Sequence, residues 1–360
     1  MSRKIHTKIH TMELRLMLSL KEYHICEDFF YRKAKGLRKC CYPWGGGLCF
    51  RYWSLSGVNL YLHEMSGSYM GAYLDIRVNP SKLLGRKEPQ ALYEITEENH
   101  RLLMDALEKI LKKLPIEERT IQSLILNRLD LCEDFPFSWT EVCLYIQLLN
   151  KGVHHTKWKE HSFGDERDNH SFRRECKRYQ ITVYDKVYQM QKKGLITEEW
   201  EEEKCLLRVE AALKTEGLRH LAQKYNLDDR DWTVFLPEIS KEGEKIFRYV
   251  LLKLLPEGHY YSLSKAREII SESNFYQNKK KNLIEFLTVI NQKRTINLQE
   301  IRSIKNGKKR LRQLAELQIN PVTIVTREQC VALQSIPSLI SPSPVLADEI
   351  RGTSMYCSIE

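Results

Sequence analysis

The sequence predicts an α+β protein in which an antiparallel sheet, covered by helices on one face, precedes a helical C-terminal domain. Three observations predict it. Residues 48–78 alternate apolar and polar side chains with period two, as half-buried strands do. Two amphipathic helices and further short strands follow up to residue 214. Beyond residue 217 nearly every segment has helical periodicity, so strands and helices are largely segregated along the chain.

The composition is that of a globular protein with a polyanionic partner. The 360 residues are 42% hydrophobic and 29% charged, as in ordinary globular domains. A formal net charge of +10 and a pI near 9.0 favour nucleic acid as the partner. Ten cysteines without a Cys-x-x-Cys pair indicate a reducing cytoplasm rather than a zinc site. We expect no membrane role, because no apolar run has spanning length.

The predicted sheet begins after an N-terminal segment, residues 1–47, that is expected to be irregular and ends in three glycines. Strands are predicted at 48–53, 58–64, 69–78, 120–134, 177–186 and 205–214, and helices at 97–114 and 140–150. Residues 154–175 are polar and charged and are expected to form a mobile loop. A short helix is predicted to follow the strand at 177–186 and to end at Gly194.

The helical C-terminal part is predicted to be a separate domain. Residues 48–230 would form the sheet domain, residues 231–320 the helical domain, and residues 321–360 a partly disordered tail. The boundary between the two domains is expected near 226–236. Helices are predicted at 217–225, 238–255, 264–273, 281–292 and 299–317.

Charged or hydroxyl-bearing side chains occupy one side of four predicted strands. Asp75, Asp130 and Glu210 each lie between two apolar neighbours, and Tyr184 follows Val183 on the strand between the last two acids. Because side chains alternate between faces, all four are predicted on the polar face of the sheet. An antiparallel sheet often faces water on one side, so the pattern also fits a plain solvated surface.

These residue types can break a phosphodiester bond and hold the cut end as a tyrosyl ester. A phenol has an unperturbed pKa of about 10, so Tyr184 needs a nearby cation or metal to act as a nucleophile. Lys186, Arg208 and Lys214 are candidates for that cation and for stabilising the charge on the transferred phosphate. The three acids are hard oxygen ligands suited to Mg²⁺ or Mn²⁺. The pattern therefore predicts a metal-dependent nuclease site.

Five short motifs follow one another between residues 57 and 214. They are Gly57–Tyr61, Leu74–Gly85, Asn127–Asp130, Val183–Lys186 and Leu207–Lys214. In this order they resemble motifs of rolling-circle replication initiators, namely the gene II/gene X proteins of filamentous phages and related Rep proteins of bacterial plasmids. The likeness covers roughly residues 57–225.

The resemblance implies a site-specific DNA endonuclease and strand transferase that starts and ends rolling-circle replication. It would nick an origin, become linked through Tyr184 to the 5′ phosphate, and later rejoin the ends. The family's Arg-x-Asp and Arg-x-Glu acids match Asp130 and Glu210, and Asp75 matches an acidic position in the Pro-containing segment. The His-hydrophobic-His metal motif of many nickases is missing, which favours a metal bound by acids.

The implied partners are origin DNA, single-stranded or supercoiled, and the helicase and polymerase of a bacterial host. A homodimer is left open, as is the choice between phage and plasmid. Basic residues before the tyrosine strand, at the end of the last sheet strand and in the C-terminal helices are predicted to bind DNA through its phosphates. They are Arg173, Arg174, Lys177, Arg178, Lys214, Lys308, Lys309 and Arg310.

Other interpretations stay open at this point. The chain can be a non-catalytic DNA-binding replication or regulatory protein, whose acids only balance a basic surface. Tyr188 is either a second nucleophile or a packing residue. A conjugative relaxase or tyrosine recombinase is disfavoured, because the histidine-pair motif of the former and the spaced Arg/His set of the latter are absent.

Overall fold

The computed structural model describes residues 8–33, 38–42, 45–50, 56–65, 71–88, 90–117, 119–154, 157–160, 170–196, 205–229, 231–293, 295–297, 300–301, 304–324 and 330–340. These residues confirm an α+β protein with an antiparallel main sheet. The chain divides into two compact units. The first unit draws on residues 1–133, 177–179 and 212–243, and the second on residues 134–176, 180–211 and 244–360. The domain boundaries expected from the sequence stay a prediction.

Strands and helices are numbered separately along the chain. The strands are β1 Lys8–Leu18, β2 Arg38–Tyr42, β3 Gly45–Phe50, β4 Val58–Met65, β5 Gly71–Val78, β6 Tyr93–Glu94, β7 Ile125–Phe137, β8 Val153–His154, β9 Lys159–Glu160, β10 Ser171–Glu175, β11 Tyr179–Asp185, β12 Cys205–Lys214, β13 Tyr260–Tyr261, β14 Ile296–Asn297 and β15 Ala332–Leu333. The helices are α1 Leu20–Lys33, α2 Pro80–Leu83, α3 Glu97–Leu111, α4 Trp139–Lys151, α5 Lys186–Lys192, α6 Thr215–Tyr225, α7 Trp232–Lys241, α8 Gly243–Leu252, α9 Leu263–Glu272, α10 Gln277–Asn291, α11 Gly307–Glu316 and α12 Ile336–Ile340.

The first unit contains strands in the spatial order β2-β3-β4-β5-β1-β7, with β6 beside β1, and residues 134–137 of β7 belong to the second unit. Alternation on β1 buries Met12, Leu14 and Leu16 on one face. The antiparallel register of β1 and β5 places Arg15 opposite Asp75 on the other face. Helix α1 packs against β1, β4 and β5. Thr96 caps the start of α3, because its hydroxyl accepts a hydrogen bond from the Asn99 amide.

The second unit contains the spatial order β12-β11-β10-β9, with β10 antiparallel to both β9 and β11. Helix α4 packs against β10, and it begins with a capping box formed by Ser138 and Glu141. The C-terminal helices follow, with α9 in contact with α10 and α10 in contact with α11. Two short strands, β13 and β15, form an antiparallel pair beside them.

The structure corrects several sequence predictions. Residues 1–47 were expected to be irregular, but β1 and α1 are regular and supply a core strand and its covering helix. The loop expected at 154–175 contains β9 and β10 in its described part. The helix expected at 238–255 is broken near Glu242 into α7 and α8. The expected disordered tail includes the buried helix α12, and its residues 341–360 lie outside the described residues.

Within the described part of the chain, none of the helices has the length and apolar character that crossing a membrane requires.

Candidate active site

Tyr184 lies at the point where a strand turns directly into a helix. It is the penultimate residue of β11, and Asp185 caps the following helix α5 by accepting a hydrogen bond from the Tyr188 amide at 3.0 Å. The Asp185 amide in turn donates to the carbonyl of His170 at 3.1 Å. Side-chain capping of this kind fixes the backbone of the first helical turn. The turn therefore holds Tyr184 and the first helical residue, Lys186, in set positions.

The Tyr184 hydroxyl donates a hydrogen bond to Oε1 of Glu210 at 2.8 Å. Tyr184 is 7% exposed, whereas Glu210, on the neighbouring strand β12, is half-buried. The phenol of Tyr184 is thus buried, and the carboxylate that accepts its hydrogen bond belongs to a residue that is partly exposed. This brings together two residues that sequence alternation had placed on one face.

Lys186 adds a buried ammonium group beside this pair. It is 5% exposed, and its Nζ donates to Oε1 of Gln189 at 2.8 Å. Burial, reinforced by repulsion from Arg208 and Lys193, lowers the pKa of Lys186 to about 8 although nearby acids oppose the shift. A lysine with this pKa carries its charge at neutral pH but loses it easily.

Arg208 is held by a partner that sequence reasoning did not identify. Its Nε and Nη2 each donate to a different carboxylate oxygen of Asp134, both at 2.6 Å, and its side chain is 1% exposed. A bidentate pair of this kind fixes the orientation of a guanidinium. Arg208 therefore acts as a fixed buried charge. Asp134 lies four residues beyond Asp130 on β7, so the same alternation contained a signal for it.

Asp75 is tied to its own arginine in the first unit. Nε and Nη2 of Arg15 donate to its two carboxylate oxygens at 2.7 and 2.9 Å, and Nε2 of His63 lies 3.7 Å from Oδ2 of the same carboxylate. The His63 ring stacks on Tyr73 with ring centroids 4.6 Å apart. Burial raises the pKa of Asp75 despite the opposing effect of Arg15. Arg15 lies on β1, the strand that the sequence analysis missed.

Asp130 is paired with Arg128 on its own strand, at 2.7 Å from Nε to Oδ1. Strand β7 lies along one edge of β1 and pairs Asp130 with Thr11. Strand β5 lies along the other edge and pairs Asp75 with Arg15. At about 4.8 Å between strands and about 3.4 Å per residue, this register separates the two Cα atoms by on the order of 16 Å. In this arrangement the two carboxylates do not converge on one ion.

Across the described residues, no group of three or more His, Cys, Asp or Glu side chains is placed to hold a metal ion. The ligand set of Asp75, Asp130 and Glu210 and the Mg²⁺ or Mn²⁺ expected from the sequence stay predictions.

The residues predicted to bind DNA differ in exposure. Arg174 is buried, with its guanidinium 4.8 Å from the centroid of the Phe172 ring, and Arg173 donates to Gln180 at 2.9 Å. Lys177, whose side chain is 82% exposed, pairs with Glu216. The others are exposed or half-buried: Arg178, Lys214, Lys308, Lys309 and Arg310. Their role in DNA binding stays a prediction.

Tyr188 stacks on the ring of His170, with centroids 3.6 Å apart and planes 8° apart. Its ring is thus in a packing contact, whereas Tyr184 contacts a carboxylate.

No protein-family model matches the sequence, and a search of curated proteins finds no match. The likeness to replication initiators is therefore carried only by the five motifs quoted above.

Proposed function

We propose that the chain is a DNA endonuclease and strand transferase that initiates rolling-circle replication and uses Tyr184 as its nucleophile. The hydrogen bond from the Tyr184 hydroxyl to Glu210 is the observation that carries the proposal. A nucleophile held within hydrogen-bond reach of a base is the arrangement that nucleophilic catalysis requires. The basic charge of the chain supports DNA as the substrate.

The proposed reaction exchanges one phosphoester for another. Glu210 accepts the phenolic proton as the Tyr184 oxygen bonds to phosphorus, and the bond from phosphorus to the 3′ oxygen breaks. The leaving oxygen takes a proton from water and becomes a 3′ hydroxyl, and the hydroxide so formed takes the proton that Glu210 accepted, while the 5′ phosphate stays on the tyrosine. The reverse reaction rejoins the ends. A positioned general base contributes about 10²- to 10⁴-fold to such a step.

Lys186 and Arg208 supply positive charge near the reacting phosphate in this scheme. Preorganised charges in a site with little water stabilise a transition state more than they would in solution. Lys186 carries its charge below a pH of about 8, its pKa in the fold. Because Tyr184 is only 7% exposed, DNA binding must be coupled to a local opening that admits the phosphate to the phenolic oxygen.

Adduct formation tests the proposal. The full chain is incubated with supercoiled plasmids carrying fragments of the genome that encodes it, with Mg²⁺ or Mn²⁺ or with EDTA. Detergent-resistant protein–DNA adducts are then resolved by gel. We expect an adduct with the wild-type chain and none with Tyr184→Phe. Tyr179→Phe is the matched control, since it removes a buried phenolic hydroxyl from the same strand and should retain the adduct.

An adduct that persists in Tyr184→Phe would contradict the proposal, as would its absence from the wild-type chain on every plasmid. The EDTA lane measures the metal requirement separately.

A non-catalytic DNA-binding function is the second candidate. The observation that favours it is the pairing of Asp75, Asp130 and Arg208 with charged partners, which is how a purely structural polar face would be satisfied. Plasmid binding without nicking or adduct, in both metals, would support this candidate.

A further inference from the structure

Helices α9 and α10 form a helix pair joined by the four residues 273–276. Ser262 caps the start of α9 by accepting from the Lys265 amide at 3.3 Å. Nζ of Lys280, in the first turns of α10, donates to the Ser271 carbonyl at 2.6 Å near the end of α9. Arg267 donates to the Thr288 hydroxyl at 3.0 Å. Turns of this length join the helices both of αα-hairpins and of helix-turn-helix DNA-binding units.

One side of α10 is committed to packing. Leu283, Phe286, Leu287 and Ile290 are buried. Helix α11 contacts α10 through Arg310, whose guanidinium lies 5.7 Å from the centroid of the Phe286 ring. Helix α10 therefore packs against α9, which precedes it, and against α11, which follows it. The face of α10 that bears no buried residues is exposed.

The solvent side of α10 carries a stripe of polar residues at helical spacing. It consists of Asn278, Lys281, Asn282, Glu285 and Val289, all exposed. Asn282 lies at the edge of this stripe, where its side-chain oxygen accepts a hydrogen bond from Arg310 of α11 at 3.5 Å. Asparagine can pair with adenine, lysine with guanine and glutamate with the cytosine amino group, and an apolar side chain can contact the thymine methyl group. These chemical types suit base edges in a major groove, and Asn278 to Asn282 lie in the N-terminal half of α10, where recognition helices make their base contacts.

The charge of the surrounding surface complements DNA. Helices α10 and α11 together contain seven lysines and arginines against two glutamates. Lys308, Lys309 and Arg312 of α11 are exposed. Such residues bind backbone phosphates irrespective of sequence, so α11 suits the positioning contacts that flank a sequence-reading helix.

We propose that α10 is a sequence-reading helix that enters the major groove of duplex DNA, with α11 binding the adjacent phosphates. The occupant is double-stranded DNA, because the stripe presents base-edge chemistry within a basic surface. The inference deepens the proposed function, since origin recognition would then reside on residues distant in sequence from Tyr184. It can nevertheless fail or hold independently of catalysis.

The test selects binding sequences from a library of random 30-base-pair duplexes. The full chain carries Tyr184→Phe, so any nicking is removed and only binding is measured. We expect one sequence to be enriched. In the same background, Asn278→Ala/Lys281→Ala/Asn282→Ala should bind that duplex about tenfold or more weakly, with a much smaller loss on random duplex, because two or three base contacts are removed.

Lys308→Ala/Lys309→Ala is the matched control. It should weaken binding to the enriched and random duplexes equally and make binding less dependent on salt, as expected when phosphate contacts are lost. The side chains substituted in α10 and α11 are exposed, and thermal melting by circular dichroism that matches the Tyr184→Phe chain verifies folding.

The inference would be overturned if no sequence is enriched with the Tyr184→Phe chain, or if the α10 variant keeps the affinity and selectivity of the chain without the α10 substitutions. Equal competition by single-stranded DNA or by RNA of the same length would also overturn it. Loss of adduct chemistry with intact duplex selection would instead count only against the proposed function.

Discussion

Glu210 of the second unit differs in its partner from Asp75 and Asp130 of the first unit, and also from Asp134 of its own unit, which pairs with Arg208. In the first unit, Asp75 and Asp130 each accept hydrogen bonds from an arginine, at 2.7 Å for the shorter contact in both pairs. In the second unit, Glu210 accepts a hydrogen bond from the phenol of Tyr184 at 2.8 Å. The same alternation of side chains along a strand thus yields acids that bind an arginine and an acid that binds a phenol.

The difference separates structural pairing from chemistry. A carboxylate bound to a guanidinium has a partner that does not give up its proton at any ordinary pH. A carboxylate bound to a phenol faces a proton that it can take. The sequence pattern could not distinguish these cases, because the partner of each acid is set by packing rather than by its immediate neighbours.

The largest expected effect comes from replacing the two kinds of acid by amides. Glu210→Gln should lower the rate of adduct formation by about 10²- to 10⁴-fold, because the general base is lost while the side-chain shape is kept. Asp75→Asn should lower it by less than about tenfold, because this acid pairs with Arg15 rather than with the nucleophile. Single-turnover adduct formation measures both rates.

A loss in Asp75→Asn as large as that in Glu210→Gln would reverse the comparison. It would mean that Asp75 acts on the reaction directly, as the resemblance to replication initiators implies for a metal ligand. Rescue by excess Mn²⁺ would then identify metal binding as the lost function.

The next largest effect is the loss of folding stability when an ion pair is broken, which should be greater for a buried arginine than for a more exposed one. Asp134→Ala leaves Arg208, whose side chain is 1% exposed, without its bidentate partner, and removing one member of a buried pair costs about 3–5 kcal/mol. Asp130→Ala leaves Arg128, whose side chain is 21% exposed, and should cost about 1 kcal/mol or less in pairing energy. Denaturant unfolding of both variants gives the two free energies of unfolding, and equal losses would contradict the assignment of Arg208 as a buried fixed charge.

Strand and helix positions with a clear period were predictable from the sequence. Strands β4, β5 and β12 and helices α3 and α4 lie within a few residues of their predicted bounds, because an apolar face of period two or 3.6 is written directly in the residue order. The same alternation placed Tyr184 and Glu210 on one face, and the structure joins them by a hydrogen bond.

Three features escaped prediction for physical reasons. Strand β1 has clear alternation from Met12 to Leu18, but the basic and aromatic residues around it led to the prediction of an irregular segment. The partners Arg15 and Asp134 could not be assigned, since register between strands depends on long-range pairing. Complete burial of β11 on both faces was also unexpected, because the sequence suggested an exposed polar side.

The smallest expected effect is a change in how stability depends on pH when Lys186 is removed. The folded pKa of Lys186, about 8, lies below the ordinary value of 10.5 for a lysine in water. Between these values the unfolded chain binds more protons than the folded chain, so this group makes stability rise with pH. Below pH 8 Lys186 is charged in the folded state as well, and the destabilising contribution of its buried charge is then fully present. Lys186→Met lacks this contribution, so its advantage over wild type should shrink by about 1.4 kcal/mol per pH unit across that window.

Denaturant unfolding of both chains from pH 7 to pH 10 measures this difference, and other titrating groups cancel because they are common to both chains. Lys192→Met, which removes an exposed lysine from the same helix, should show no such trend. A difference between Lys186→Met and wild type that stays constant with pH would mean that Lys186 is solvated. It would then resemble the half-exposed arginines of the first unit rather than a desolvated charge beside the Tyr184–Glu210 pair, and the contrast between the two regions would lose one of its supports.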